Sequence, residues 1–352
     1  MPKLPRTTKA AILVEQHQPL VVAEVELPEV LGVGQVLVNV HYSGICGSQL
    51  GEIDGIKGED QFLPHLLGHE GSGTVLAVGP GVRHVAPDET VVLHWRRGLG
   101  IESEVPTYKW GDREVNAGWV TTFNEYAVVS ENRCTPLPPN SDLQVATLLG
   151  CAVTTGFGVV ENNARLRIGE SIVVLGAGGI GLSVVQAASL VSAYPVIAVD
   201  LFDNRLDLAG KLGATHLINS CHSDVRREIE LIVGSSGADV VVDNTGLPEM
   251  IELGYASTKP RGRLVLVGVP RVGSQIELFS LPLHFGKQLI GSHGGNGDPW
   301  VDIPRYSDLH RSGRANLQEF ITDVFPIERI NEAINATRSG EISGRCLISF
   351  SR

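Results

Sequence analysis

Residues 171–191 read SIVVLGAGGIGLSVVQAASLV: an apolar strand, a glycine turn, then apolar residues at helical spacing. Gly176-x-Gly178-x-x-Gly181, with Gly179 beside the second glycine, follows the strand and opens the helix, which is the placement that makes such a triad informative. The first glycine allows a tight turn, the second lets backbone approach a pyrophosphate, and the third lets helix and strand pack closely. The helix N-terminus then offers N–H groups to phosphate. Asp200 ends the next strand, PVIAVD, about 20 residues on, where a carboxylate accepts from ribose hydroxyls and repels a 2′-phosphate. Together these favour NAD over NADP. A glycine turn that binds nothing is the competing reading, and strand, spacing and acid together weigh against it. Arg205 lies just beyond the acid, where it flanks the adenosine ribose or stays a solvated helix residue.

Outward from this stretch the pattern continues as NRLDLAGKLG (204–213), ADVVVDNTG (238–246) and GRLVLVGVP (262–270). Strands alternating with helices imply βαβ units and a doubly wound parallel sheet. Before Gly169 the texture differs: AAILV, QVLVNVHYSGIC, GTVLAVG, ETVVLHW and FNEYAVVS are short β-rich runs between Gly and Pro clusters, as in a compact barrel-like unit. Beyond residue 294 a helical stretch around IPRYSDLHRSG precedes INEAINATRSG, and RCLISF closes as a strand. A lone strand cannot bury itself, so this tail is expected to rejoin the first unit. The fold class is therefore α/β, in two domains: 1–152 with 294–352, and 153–293.

The 352 residues suit two domains at about 100–200 residues each. No apolar run approaches the ~18 residues of a membrane span, and 39 acidic against 28 basic residues give a net charge of −11. Neither a membrane nor a nucleic-acid partner is expected. Glycine, at 41 residues, favours tight turns over a helical bundle. The N-terminus has no secretory apolar stretch, and the five cysteines are odd in number and widely spaced. A cytoplasmic protein with free thiols is expected.

Cys46 lies in GICGSQ, His69 and Glu70 in LGHEGSGTV, and Cys151 in GCAVTTGFG. Two thiolates and an imidazole suit zinc, and three protein ligands leave a fourth position open, as a catalytic site requires. Singly, each has a plainer reading: buried packing for the cysteines, a structural turn for Gly-His-Glu.

The motifs GICGSQ, GHEGSGTVLAVGPGV, GCAVTTGFGVV, GAGGIGL, the DNTG strand end and INEAINATRSGEISGRCLI together resemble the zinc-dependent medium-chain dehydrogenases, the alcohol dehydrogenase superfamily, over essentially the whole length. The resemblance implies a GroES-like β-rich catalytic domain with a Rossmann domain. It implies zinc on Cys46, His69 and Cys151, with Glu70 a transient or neighbouring ligand. Ser48 takes the hydroxyl relay position, Thr155 the nicotinamide contact and Arg345 the pyrophosphate contact, and the chain is expected to be a homodimer or homotetramer. Three positions depart from the family. Gln49 replaces an Asp that orients the zinc-bound imidazole, although its amide oxygen still suits that N–H. Gly51 replaces a His that passes the proton outward. No cysteine lies between 46 and 134, so the four-cysteine structural zinc lobe is absent. That interval holds Trp95, Trp110 and Trp119, expected as its packing anchor, and one catalytic zinc per chain follows.

The implied reaction is hydride transfer between an alcohol and NAD, with a small-molecule alcohol or carbonyl as partner. His94, Trp95, Arg96 and Arg97 fall where the family builds substrate walls, so a polyol, sugar or phosphorylated alcohol is expected. Alternatively the arginines bind Glu102 and Glu104. His293, in GSHGG, is a further substrate candidate or a structural histidine. Two other functions stay open: a zinc-independent quinone or enoyl reductase of the same superfamily, and a non-catalytic NAD-binding structural protein.

Overall fold

A computed structural model of the chain describes residues 4–350. It divides into two compact units, one of Met1–Cys151, Asp298–Leu309 and Ile321–Arg352, the other of Ala152–Gly297 and His310–Phe320. No helix among the described residues is long and apolar enough to cross a membrane.

The first unit is built around the strand Gln35–Gly44. Its alternation buries both faces: Val36, Val38 and Val40 pack with Val75, Val91 and Leu93, while Leu37 joins Ile12, Val25 and Tyr108 in a second cluster. Side chains alternate across a strand, so one apolar run serves two cores. This strand pairs antiparallel with Glu70–Val78, with Tyr126–Ser130 and with the final strand, Arg345–Ser349. The chain end therefore lies beside Gly44, and Ile45 N–H donates to Cys346 O at 3.0 Å, which fixes the backbone leading into Cys46.

A closed barrel is formed by Thr7–Leu13, Val21–Glu26, His65–Leu66 and a hairpin, Thr107–Trp110 with Arg113–Asn116. The hairpin lies in the cysteine-free interval, and of the three expected tryptophans Trp110 packs, partly buried, against the cluster that Tyr108 and Val115 fill. Trp119 is 45% exposed, whereas Tyr108 and Val115 are fully buried. Burial raises the Tyr108 phenol to about 12, and its oxygen accepts from Val128 N–H at 2.9 Å. A tyrosine satisfies both core and backbone here because its ring is apolar and its tip is polar.

Glu131 latches two loops onto this unit. Its carboxylate accepts from Arg83 N–H (2.6 Å), His84 N–H (2.9 Å) and Ile101 N–H (2.7 Å). Burial pushes its pKa up, yet those amides together hold it below the usual carboxylate value. A depressed carboxylate contributes stability above its unfolded value that is lost as pH falls through the folded one. Glu131→Ala is expected to cost about 2–4 kcal/mol, as lost charged hydrogen bonds and orphaned amides do. Denaturant melts should show that difference at pH 7 and a smaller one near pH 3; an equal difference at both would remove the charge from the account.

The second unit is a six-stranded parallel sheet in the order His216–Asn219, Val196–Asp200, Ile172–Leu175, Ala238–Asp243, Thr258–Leu266, Gln288–Gly291. Its inner strands are Val- and Ile-rich because helices cover both faces. Chain order reverses between Ile172–Leu175 and Ala238–Asp243, the place where such sheets take ligands. Residues 294–297 and 310–320, expected with the first unit, belong to this one. Leu317 and Phe320 are fully buried, and Gln186 Nε2 donates to Asn316 O at 3.4 Å.

Candidate functional site

Cys46, His69 and Cys151 come together in the first unit, one donor atom from each lying within 4.8 Å of the others. Cys46 caps the helix Gly47–Ile53, His69 precedes the strand Glu70–Val78, and Cys151 follows the helix Leu143–Leu148. Both cysteines are buried. The Cys46 thiol is held well below its ordinary range, first by its hydrogen bond with Cys151, then by His69 and the nearby Arg345 charge. The other buried thiols show the contrast: burial and then the Glu131 charge push Cys134 up, and burial and then the Asp323 charge take Cys346 to about 12 against the opposing Arg345. A thiolate-favouring pair beside an imidazole fits zinc.

Around this group lie Ser48, Gln49, Glu70 and Arg345. The Ser48 hydroxyl is buried without a hydrogen-bond partner, as a group reserved for a bound molecule would be. Gln49, 1% exposed, accepts from Cys46 N–H at 2.9 Å through Oε1 and presents Nε2 to His69 Nδ1. The expectation that its amide oxygen accepts from the imidazole is therefore corrected: the backbone holds that oxygen. Arg345, expected on a pyrophosphate, is 5% exposed and pairs with the fully buried Glu70. Burial lowers its pKa, opposed by the Cys46 and Cys346 sulfurs. Gly51 is buried in the helix and offers no side chain.

The expected substrate wall divides. His94 pairs with Glu70 across the strands, so Trp95 leaves the sheet beside the metal residues. His94 itself is a correction: it is 1% exposed, with Nδ1 on Arg96 O (2.8 Å) and Nε2 on Thr135 Oγ1 (2.9 Å). Burial lowers its pKa to about 4, so it is a neutral structural residue. Arg96 stacks on Trp95 at 5.7 Å and is balanced by Asp298 and Asp302, which oppose the lowering of its pKa by burial. Glu102 is taken by Arg133 at 2.9 Å rather than by Arg96 or Arg97. Arg97 is exposed.

In the second unit the glycine turn has the shape the motif requires. Gly176 has φ of +87°, which favours glycine, and a Cβ at Gly181 would overlap Gly176 O. Gly178 caps the helix Gly179–Leu190 and a Cβ there would meet nothing within 4 Å, so its backbone stands open to a phosphate. Asp200, 8% exposed, accepts from Ala177 N–H (2.7 Å) and Phe202 N–H (3.1 Å). Arg205 lies 3.9 Å from Asp200 and stacks on Phe202 at 4.8 Å. The donor set fits a dinucleotide.

Thr155 is buried in the helix Ala152–Gly158, which begins one residue after Cys151. Gly156 lets that helix meet Ser183 on the turn's own helix, and Gly158 lets it meet Gly295. His293 lies exposed in the same unit, on a turn tied down by Ser292 Oγ to Asn163 Oδ1 (2.8 Å) and Asn162 Nδ2 to Gly295 O (2.9 Å). The turn thus packs on the helix that carries Thr155. Asp243, which the sequence did not single out, braces the turn that follows its strand. It is fully buried at the switch point and accepts from Thr245 N–H (3.1 Å), Thr245 Oγ1 (2.6 Å) and Gly246 N–H (3.0 Å). Burial raises its pKa. The signal was present in Asp-x-Thr-Gly, where an Asp caps a turn two residues on.

Comparison with known proteins agrees with this geometry. The profile of the zinc-binding dehydrogenases matches residues 179–310, and that of the alcohol dehydrogenase GroES-like domain residues 32–139. S-(hydroxymethyl)glutathione dehydrogenase of Paracoccus denitrificans is 30% identical, covering 95% of this chain and 97% of its own. Alcohol dehydrogenase class-3 of Cereibacter sphaeroides is 29% identical over 97% and 100%. Among solved structures, an alcohol dehydrogenase zinc-binding domain protein from Burkholderia ambifaria superposes with a TM-score of 0.89 at 30% identity, covering 99% of this chain and 100% of that one. Benzyl alcohol dehydrogenase from Acinetobacter calcoaceticus gives 0.88 at 27%, over 99% and 100%.

Proposed function

The chain belongs to the zinc-dependent alcohol dehydrogenase family, within the medium-chain dehydrogenases, and from that premise we propose that it interconverts a polar, uncharged alcohol and its carbonyl with NAD and a single zinc ion. The observation that carries the reading is the set of Cys46, His69 and Cys151, both cysteines buried, with donor atoms within 4.8 Å. Bound there, zinc supplies a Lewis acid for the substrate oxygen, and NAD supplies the hydride acceptor.

The chain's own residues do the rest. Ser48 Oγ, left without a protein partner, takes the hydroxyl proton and releases its own. With Gly51 carrying no side chain, that proton leaves through the ribose and water. Glu70 pairs with Arg345 and holds its guanidinium near enough to the Cys46 sulfur to favour the thiolate. Asp200, Gly178 and the helix N-terminus hold the dinucleotide, and Thr155 orients the nicotinamide. Asp298 and Asp302 lie near enough to Arg96 to oppose the lowering of its pKa by burial, so an anionic substrate group at this wall would approach carboxylates as well as the guanidinium. A polyol or sugar alcohol suits this wall better than a phosphorylated alcohol. Trp95 supplies its apolar part.

A second copy of the chain fits the edge strand Gln288–Gly291, whose outer backbone is unpaired in the sheet order and whose Leu289 is exposed with Phe279, Leu281 and Phe285. Identical edges pair about a two-fold axis. Free cysteines suit a cytoplasmic location.

The deciding experiment is NAD-coupled screening of zinc-loaded protein on neutral polyols, sugar alcohols, phosphorylated alcohols and S-(hydroxymethyl)glutathione, with zinc content and sedimentation measured on the same sample. Turnover of neutral polyols by a dimer or tetramer with about one zinc per chain is expected. Preference for a phosphorylated or glutathione substrate would defeat the uncharged class. Quinone reduction by zinc-free protein would favour the zinc-independent alternative, and two zincs per chain would end the single-zinc reading.

A further inference from the structure

Gln49 is the third residue of the helix Gly47–Ile53, and its side chain folds back onto the residue that caps that helix. Cys46 N–H donates to its Oε1 at 2.9 Å. A backbone N–H can only donate, so that end of the amide is the oxygen. The other end, an NH₂ that can only donate, faces His69 Nδ1. Nδ1 must therefore be the accepting nitrogen, and in a neutral imidazole the proton then sits on Nε2.

Metal binding asks for the reverse. With Nδ1 against Gln49, Nε2 is the nitrogen left for the ion, and it must offer a lone pair. The ring proton then moves to Nδ1, where it faces the amide NH₂, donor against donor. Turning the amide over moves the mismatch to Cys46 N–H. Gln49 is 1% exposed, so water cannot relieve either arrangement. A carboxylate of the same reach accepts from both groups and has no such conflict. Groups hydrogen-bonded to a ligand's far side commonly alter metal affinity by about 10–100-fold.

We propose that Gln49 is a positioning residue that loosens the metal site, because its amide, held by Cys46 N–H, opposes the His69 tautomer that zinc requires. Occupancy of Cys46, His69 and Cys151 then follows the free zinc level more closely than in a site with a carboxylate at this position. The proposal rests on those residues being the zinc site.

Zinc affinity, measured by competition with a chromophoric chelator and independent of activity, tests it in Gln49→Glu and Gln49→Met proteins, with NAD binding as the check on folding. Gln49→Glu is expected to hold zinc at least ~10-fold more tightly than wild type. Gln49→Met, which has neither donor nor acceptor there, is expected within a few-fold of wild type. Unchanged or weaker zinc binding by folded Gln49→Glu overturns the proposal, and so does a large loss in folded Gln49→Met, since the amide would then be supporting the metal-bound histidine. If Gln49→Met does not fold, Gln49→Glu decides alone. Wild-type protein that takes up no zinc removes the metal reading itself, an outcome distinct from zinc-binding protein that ignores residue 49.

Discussion

Cys151→Ala protein is expected to purify with little zinc and to lose turnover by about 10³-fold or more, while binding NAD as wild type does. The size follows from what is removed. A metal that polarises the substrate oxygen supplies several kcal/mol of transition-state stabilisation, and each 1.36 kcal/mol is tenfold in rate. Two remaining ligands do not hold a catalytic zinc, which needs three. Cys46 also loses the hydrogen bond that does most to lower its pKa, so the surviving ligand is less often the thiolate that metal requires. The fold should survive, because the first unit carries its own cores: Val36, Val38 and Val91 in one, Ile45, Phe123 and Ile348 in another, none of them dependent on an ion. Metal analysis, NAD titration and thermal melting on one preparation check all three statements. Loss of NAD binding together with activity would mean that Cys151 holds the chain together and is not a dedicated ligand.

The positions that could be read from sequence are those whose requirement is local. Gly176 needs a positive φ and Gly181 cannot carry a Cβ against Gly176 O, so a strand, a triad and a helix announce the turn without any distant partner. The parallel sheet was legible for the same reason, since its strands are apolar on both faces. Cys46, His69 and Cys151 were legible as a chemical set, each in its own glycine-rich motif. What escaped was decided by distant partners. The reason Arg345 sits on Glu70 is that the last strand pairs with Gln35–Gly44, a pairing that no local pattern near residue 345 specifies. His94 looked like a wall residue until Thr135, from a neighbouring strand, took its Nε2. Alternation in TYKW turns Tyr108 and Trp110 inward onto one cluster while Trp119 stays exposed, and a count of aromatic residues ignores direction. Gln49 has the right size and polarity at its position, yet which end of its amide faces the histidine depends on one backbone N–H.

Asp200→Ser is expected to weaken NAD binding by about 10–100-fold, the worth of a charge-assisted hydrogen bond to ribose, and to shift the NADP to NAD ratio of kcat/KM further than that. Two effects add. In wild type the carboxylate stands at the end of its strand, 8% exposed, and a 2′-phosphate placed there would meet its negative charge in a partly desolvated setting. Removing it ends that repulsion. It also takes away the carboxylate 3.9 Å from the Arg205 guanidinium, which is stacked on Phe202. A guanidinium pairs well with phosphate through parallel hydrogen bonds. One cost works against the gain: Asp200 accepts from Ala177 N–H at 2.7 Å, so it also braces the glycine turn. The variant should therefore bind NADP better than wild type does, without reaching wild-type affinity for NAD. Arg205→Ala on top of Asp200→Ser separates the two effects, since relief of repulsion survives the second substitution and the new phosphate contact does not. Wild-type protein that already prefers NADP would mean that Asp200 serves the turn alone and that the ribose contact lies elsewhere.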